Sequence, residues 1–303
     1  MAEPAEAVWL VTGGSGQVGG ALAAGAPSHV RIVCPPRDQL DLSAEHLDAG
    51  PLIAATGACA IVNCAAYTAV DRAEDEPEIA HRINAAAPAA LAAAAAAADI
   101  PIVQISTEYV FSGDKSSPYV EEDPTNPQNV YGRTKNDGER AVVSSGARHA
   151  ILRTSWVFSA SGDNFVRTML RLGKERDLLR IVADQHGCPT HAADLANAIV
   201  TVTEAIVGGC QGNGIWHVAN RNETSWHGMA ERIFNRAAEF GWPAPRVEAI
   251  VSAEYPTRAV RPANSRLSTA RLQRDFGLEL RSWELAVDEA VGEIIAKEGR
   301  NEP

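Results

Sequence analysis

The sequence is short of every feature that would mark a nucleic-acid binder, a membrane protein or a disulfide-stapled secreted domain. Basic residues are outnumbered: 27 Lys and Arg stand against 38 Asp and Glu, a formal charge of −11. Phosphate backbones are held by clustered Lys and Arg, so no nucleic-acid partner is expected; a small anionic ligand needs only a few placed donors and stays open. No apolar run approaches the roughly 18 residues of a membrane span, so no membrane partner is expected either. The opening MAEPAEAVWL carries two Glu and no basic residue and passes straight into VTGGSG, which argues against a signal peptide. Cysteines are few, odd in number and scattered, with no C-x-x-C pair: Cys34, Cys59, Cys64, Cys188 and Cys210. They read as thiols of a reducing compartment, neither a disulfide framework nor a zinc site. His186, His191, His217 and His227 have no metal-ligand spacing, and no metal is expected. No internal repeat is visible. The expectation is a cytoplasmic, soluble protein.

What is present is a chain of 303 residues, 46% hydrophobic, long enough for one large domain or two smaller ones with a core of their own. Short apolar runs at residues 7–11, 30–34, 60–64, 100–105 and 150–153 alternate with helix-length segments. Strands apolar on both faces and joined by helices predict an α/β fold, a doubly wound parallel sheet of Rossmann-like type. The alanine-rich tract from Asn84 to Asp99 predicts one helix on that sheet. Beyond about residue 154 the pattern changes: residues 164–174 and 226–240 read as helices, 215–219 as a further sheet strand, and 255–266 as irregular. We therefore expect a smaller, interleaved substrate-binding domain. Residues 1–153 and 193–222 would bind a dinucleotide, residues 154–192 and 223–303 the substrate, with a cleft at the strand ends. Trp216 and Trp283 read as core, and Glu121–Glu122–Asp123 as a solvated turn.

Gly13, Gly16 and Gly19 follow the first strand as G-x-x-G-x-x-G and open a helix. Glycine permits the tight turn, the close approach of backbone to a pyrophosphate and helix-to-strand packing, while the helix N-terminus offers N–H donors to the anion. The second strand runs into Pro35-Pro36-Arg37-Asp38 without the terminal acid that suits a ribose 2′-OH. Arg37 is either a 2′-phosphate contact or an exposed loop arginine, so NADPH or NADH both remain open as the cofactor.

Tyr131 and Lys135 form Y-x-x-x-K, at i and i+4 on one helix face. An ammonium beside a phenol favours proton exchange with a carbonyl or alcohol near neutral pH. Ser106 and Thr107, at the end of the fourth predicted strand, supply a hydroxyl for the same oxygen.

Glycine loop, hydroxyl and Y-x-x-x-K in this order resemble the extended short-chain dehydrogenases/reductases. Longer words narrow the resemblance: NCAAYTAVDRAE (63–74), ISTEYVFSG (105–113), NVYGRTKNDGE (129–139), LRTSWV (152–157), NFVRTMLRL (164–172), DQHGCPT (184–190) and RPANSRL (261–267) are similar to the dTDP-4-dehydrorhamnose reductase family over nearly the whole chain. The resemblance implies reduction of the 4-keto group of dTDP-4-dehydro-L-rhamnose with NAD(P)H. It implies Tyr131 as proton donor to the C4 oxygen, Lys135 lowering the Tyr131 pKa and holding the ribose, and Thr107 on the sugar oxygen. Gly16, Gln17 and Val18 would meet the pyrophosphate, Asp41 and Leu42 the adenine side, and Ala65, Ala66 and Tyr67 the nicotinamide side. Trp156 would pack on the sugar, with Glu108 beside it. Arg258, Arg261 and Arg266 offer planar forks to a diphosphate, or pair with the surplus carboxylates.

Two departures from the family pattern stand out. Glu108 occupies a position where the family usually has Asp, so its reach is one methylene longer. Gly20-Ala21 replaces a glutamate that in some members joins a metal site between subunits, so no such metal is expected and the chain reads as a monomer or weak homodimer. A dehydratase or epimerase of the same superfamily would want Asp-Glu after the threonine, whereas Glu108-Tyr109 supplies one carboxylate. A non-catalytic regulatory subunit would have no chemical need for Thr107, Tyr131 and Lys135 together.

Overall fold

The computed structural model describes residues 6–209 and 212–299; Cys210 and the first five residues of the opening segment lie outside them. Six parallel strands build the central sheet: β1 (Ala7–Thr12), β2 (Val30–Val33), β3 (Ala60–Asn63), β4 (Ile102–Thr107), β5 (His149–Thr154) and the edge strand Gly214–His217. From the β2 edge the order is β2, β1, β3, β4, β5, then Gly214–His217. Each strand predicted from an apolar run is in place. Alternation splits the core in two. Trp9 and Val11 of β1 face Leu22, Leu195, Ile199 and Val202 on one side, while Val8 and Leu10 face Leu91, Ala92 and Val142 on the other. Both faces are covered by helices, which is why the strands carry no polar side. Successive connections run outward from β1 in opposite directions, so β1 and β3 flank the switch point where a doubly wound sheet opens its ligand crevice.

The alanine tract is less simple than one helix. It begins earlier, at Pro77–His81, widens into a π turn at Arg82–Ala86, and continues as Ala87–Ala97. The π turn carries buried Asn84 toward the loop after β3 and the helix Val130–Ser144, where its side chain accepts from Tyr67 N at 2.8 Å and donates to Tyr67 O and to Thr134 Oγ1, both at 3.1 Å. Polar demand at one residue thus distorts a helix that propensity alone would leave regular.

A second core lies beyond the strand ends. Val166, Met169 and Leu170 of helix Phe165–Glu175 meet Met229, Ile233 and Phe234 of helix Trp226–Glu239 and Trp283, Val287 and Val291 of helix Trp283–Gly299. A parallel pair, Leu178–Val182 with Arg246–Ile250, flanks them. Helix Ala270–Phe276 instead packs through Leu272 on the sheet side. Trp216 and Trp283 are buried as expected, and Trp216 Nε1 also donates to Asp275 at 2.9 Å. The solvated turn is a misreading at its first residue: Glu121 is buried and accepts the backbone N–H of His217 at 2.9 Å, tying the loop to the edge strand. Among the described residues the four cysteines are free thiols, and no helix is long and apolar enough to cross a membrane.

Candidate active site

The glycine-loop end of the site is built from backbone. At Gly13 the chain turns with φ +73°, and a Cβ there would sit 2.7 Å from Ala65 N, so only glycine lets the β1 turn pass over the end of β3. Gly16, whose N–H donates to Gly13 O at 2.9 Å, precedes helix α1 (Gln17–Ala24) and gives it no side-chain cap. The first N–H groups of α1 are therefore left for an anion. Gln17 Oε1 accepts from Ser159 Oγ and Asn164 Nδ2, each at 2.9 Å, which ties this loop to the segment leading into the second core. Gly13→Ala is expected to weaken NADPH binding at least about tenfold, because left-handed backbone and the Ala65 contact both resist a methyl group. Cofactor fluorescence titration measures it.

One cavity of about 1080 Å³ runs from this loop across the strand ends. Every residue expected to hold the cofactor lines it except Tyr67. The Tyr67 hydroxyl is turned away to donate to Glu76 Oε2 at 2.6 Å, and Thr68 takes the wall position beside Ala65 and Ala66. Beyond the glycine loop, Arg37 is exposed, with Nε 3.2 Å from Asp41 Oδ1 and Nη2 2.9 Å from Ser43 Oγ. The ion pair with Asp41 is open to water and readily exchanged.

At the other end, the helix Val130–Ser144 brings Tyr131 and Lys135 against the end of β4. Asn129 caps it by accepting from Gly132 N at 2.8 Å, and Glu74 accepts from Val130 N at 2.8 Å. Gly132 has to be glycine: a Cβ would lie 2.2 Å from Tyr109 O. Lys135 is buried and donates from Nζ to Ile105 O at 2.6 Å. Glu139, one turn further, is held by Ser106 Oγ at 2.5 Å and by Arg153 through Nε at 2.9 Å and Nη2 at 2.6 Å. Thr107 Oγ1 donates to Glu108 Oε2 at 2.7 Å and accepts from Tyr109 N at 3.2 Å. The Tyr109 and Tyr131 rings meet edge-on, centroids 5.4 Å apart.

Burial governs the titrations. It pushes the Tyr131 phenol well above its ordinary value, with the Glu108 charge adding and a hydrogen bond with Thr107 opposing. The phenol therefore holds its proton near neutral pH. Lys135 stands on the same helix and keeps its positive charge while donating to the neutral Ile105 carbonyl. Burial also brings Lys135 down to about 8 against the pull of Glu139 and Cys64, and lifts Glu108 to about 7 against the Thr107 hydrogen bond and Arg261.

The three arginines do not line the cavity, and each pairs with a carboxylate. Arg258 pairs with Asp75, Arg261 with Asp71 while donating to Tyr109 Oη at 3.2 Å, and Arg266 with Glu223 at 2.8 Å. Trp156 does line it, in a strained left-handed conformation at φ +47°. Its ring stacks on Trp226 with centroids 3.6 Å apart. Trp226, which also lines the cavity, was missed by sequence reasoning, where residues 226–240 read only as a helix; nothing local tells that this tryptophan looks toward residue 156.

Comparison with known proteins agrees with this geometry. A profile of the RmlD substrate binding domain matches residues 8–295. The dTDP-4-dehydrorhamnose reductase of Sinorhizobium fredii is 45% identical over 282 residues, covering 90% of this chain and 93% of that protein. The Escherichia coli dTDP-4-dehydrorhamnose reductase is 42% identical over 237 residues, covering 78% and 79%. The crystal structure of the Bacillus anthracis dTDP-4-dehydrorhamnose reductase in complex with NADP superposes with a TM-score of 0.88 at 33% identity, covering 95% of this chain and 99% of that one. A dTDP-glucose 4,6-dehydratase from Streptomyces venezuelae shares the fold alone, with a TM-score of 0.76 at 18% identity.

Proposed function

Because the chain belongs to the dTDP-4-dehydrorhamnose reductase family, we propose that Thr107, Tyr131 and Lys135 are the groups with which it reduces the 4-keto group of dTDP-4-dehydro-β-L-rhamnose with NAD(P)H to give dTDP-L-rhamnose. The observation that carries this reading is their convergence in one cavity with the open α1 N-terminus and the Gly13 turn. That cradle fits a dinucleotide: Gly13, Gly16, Gln17 and Val18 would take the pyrophosphate, Arg37, Asp41 and Leu42 the adenosine end, and Ala65 and Ala66 the nicotinamide side. When bound, the cofactor supplies the hydride. Tyr131 hands its phenolic proton to the C4 oxygen, Thr107 holds that oxygen, and Lys135 bears the positive charge that steadies the phenolate left behind.

Substrate contacts are assigned to Thr107, Glu108 and Trp156. A diphosphate contact by Arg258, Arg261 or Arg266 requires exchange of Asp75, Asp71 or Glu223 for the ligand. Residues 1–153 with 193–222 are assigned to the cofactor, and 154–192 with 223–303 to the sugar nucleotide.

The test is the decay of nicotinamide fluorescence with dTDP-4-dehydro-L-rhamnose generated from dTDP-glucose by the preceding enzymes, with NADH and NADPH in parallel. Substrate-dependent oxidation is expected; saturable cofactor binding without oxidation would overturn the assignment. Arg37→Ala is expected to raise KM for NADPH about tenfold and leave NADH unchanged, the size of one charge-assisted phosphate contact. Equal effects on both cofactors would remove Arg37 from the 2′-phosphate.

A further inference from the structure

Trp156 lines the cavity at φ +47°, a backbone conformation that a residue with a bulky side chain does not keep unaided. Its main chain is tied on both sides. Ser155 Oγ donates to Cys188 O at 2.5 Å, and the Thr190 N–H donates to Trp156 O at 3.2 Å. The side chain is gripped as well. A Cβ built on Gly187 would lie 2.5 Å from Trp156 Cε2, 2.8 Å from Cζ2 and 2.9 Å from Cδ2. Cε2 is bonded in the ring plane to three ring atoms, so a neighbour that close to it stands over a face of the indole. Trp226 covers the other face. With centroids 3.6 Å apart and planes at 11°, its ring leaves no room on the same side for the Gly187 backbone.

The two jaws are set by one piece of structure. His186–Gly187 pairs antiparallel with Thr224–Ser225, Gly187 opposite Thr224, and Trp226 follows directly as the first residue of its helix. Ser225 Oγ caps that helix by accepting from Gly228 N at 3.1 Å. Phe165, on the helix Phe165–Glu175, backs Trp226 in turn, with centroids 4.7 Å apart. With both faces of Trp156 covered, only the edge of its indole is left for the cavity. An aromatic edge carries partial positive charge and, in tryptophan, one N–H donor. Such an edge suits the hydroxyl oxygens of a sugar rather than the apolar face of its ring.

We propose that Trp226 is a positioning residue for substrate recognition: by holding Trp156 against Gly187 it fixes the indole edge as a rim of the sugar site, turned to the hydroxyl groups of the bound nucleotide sugar. The proposal deepens the reductase reading and rests on Trp156 as a sugar contact. Trp226 acts through Trp156. Its removal therefore weakens the hold on the sugar nucleotide and leaves the dinucleotide alone.

The experiment measures dTDP-L-rhamnose binding by calorimetry, with NADPH binding and steady-state kinetics beside it. The proteins are the wild type, Trp226→Leu, Trp226→Phe, Trp156→Leu and the double variant with both leucines. Trp226→Leu is expected to weaken sugar-nucleotide binding and raise its KM about tenfold, with kcat within about threefold and NADPH affinity within about twofold. Trp226→Phe keeps a ring for the stack and is expected to restore most of the affinity. The double variant is expected to lose no more than Trp156→Leu alone, because nothing remains for Trp226 to hold. The stacked indoles also couple excitonically, so the wild type should show a far-ultraviolet dichroism couplet that each leucine variant lacks. Additive losses in the double variant, a parallel fall in NADPH affinity, or wild-type binding by Trp226→Leu overturns the proposal. Should Trp226→Leu fold poorly, Gly187→Ala tests the opposite face: its methyl displaces the indole, and unchanged sugar-nucleotide affinity there overturns the proposal equally. A wild type that binds the sugar nucleotide and follows this cycle, yet never oxidises NADPH or NADH, overturns the reductase reading and leaves the role of Trp226 in binding intact. No sugar-nucleotide binding by the wild type overturns both.

Discussion

Phenylalanine in place of Tyr131 is expected to lower kcat about a thousandfold, while NADPH binding stays within about twofold. The substitution removes one oxygen and leaves the rest of the site standing. The ring still meets Tyr109 edge-on at 5.4 Å, the helix is still capped by Asn129, and Lys135 Nζ still rests on Ile105 O. On the proposed role of Tyr131, what is lost is the proton that must reach the C4 oxygen as it gains charge. About a thousandfold corresponds to about 4 kcal/mol of barrier, within the range of a positioned general acid. Water and Thr107 supply a poorer proton and account for the residual rate. Single-turnover NADPH oxidation together with a cofactor titration separates the two effects. A kcat within tenfold of wild type would place the acid elsewhere, and Glu108, poised at about 7, is the group in the wall best able to take that part.

The sheet was legible because its strands are buried on both faces, so each wrote itself as a continuous apolar run between helical segments. The glycine loop and Tyr131–Lys135 were legible because their requirements are local: a backbone that must turn under Ala65, and two side chains one helical turn apart. Features that depend on distant partners were not. Tyr67 follows Ala65 and Ala66 in sequence, yet its hydroxyl is captured by Glu76, and no spacing reports that choice. Nor does spacing report that Arg258, Arg261 and Arg266 each pair with a carboxylate far away in sequence, Asp75, Asp71 and Glu223. The Trp156–Trp226 stack joins residues 70 positions apart and needs an unusual backbone at Trp156 that composition does not announce. The alanine tract shows the converse, where propensity was read correctly and one buried polar residue, Asn84, overrode the regular geometry.

Arg153→Met is expected to destabilise the protein by about 3–5 kcal/mol, the cost of leaving one member of a buried ion pair without the other. Arg153 and Glu139 are both nearly inaccessible, and the guanidinium grips the carboxylate through two bonds while lying over the Phe111 ring at 4.9 Å. Without it, Glu139 keeps the Ser106 hydroxyl as its hydrogen-bond donor, too little to offset a buried negative charge. Thermal and urea unfolding should show the loss, with a fall in Tm of roughly 5–15 °C. The paired change Glu139→Gln with Arg153→Met should recover most of it, since removing both charges removes the desolvation problem along with the attraction. Recovery of stability is not recovery of chemistry. Glu139 is the carboxylate that works against burial at Lys135, so in the double variant the ammonium loses a charge that keeps it protonated. The sign follows directly: the Lys135 pKa drops further below about 8, and the upper limb of the activity profile moves to lower pH. A double variant that is stable, with that limb unmoved, would mean that the pair holds β4, β5 and the helix Val130–Ser144 together and does nothing for the lysine.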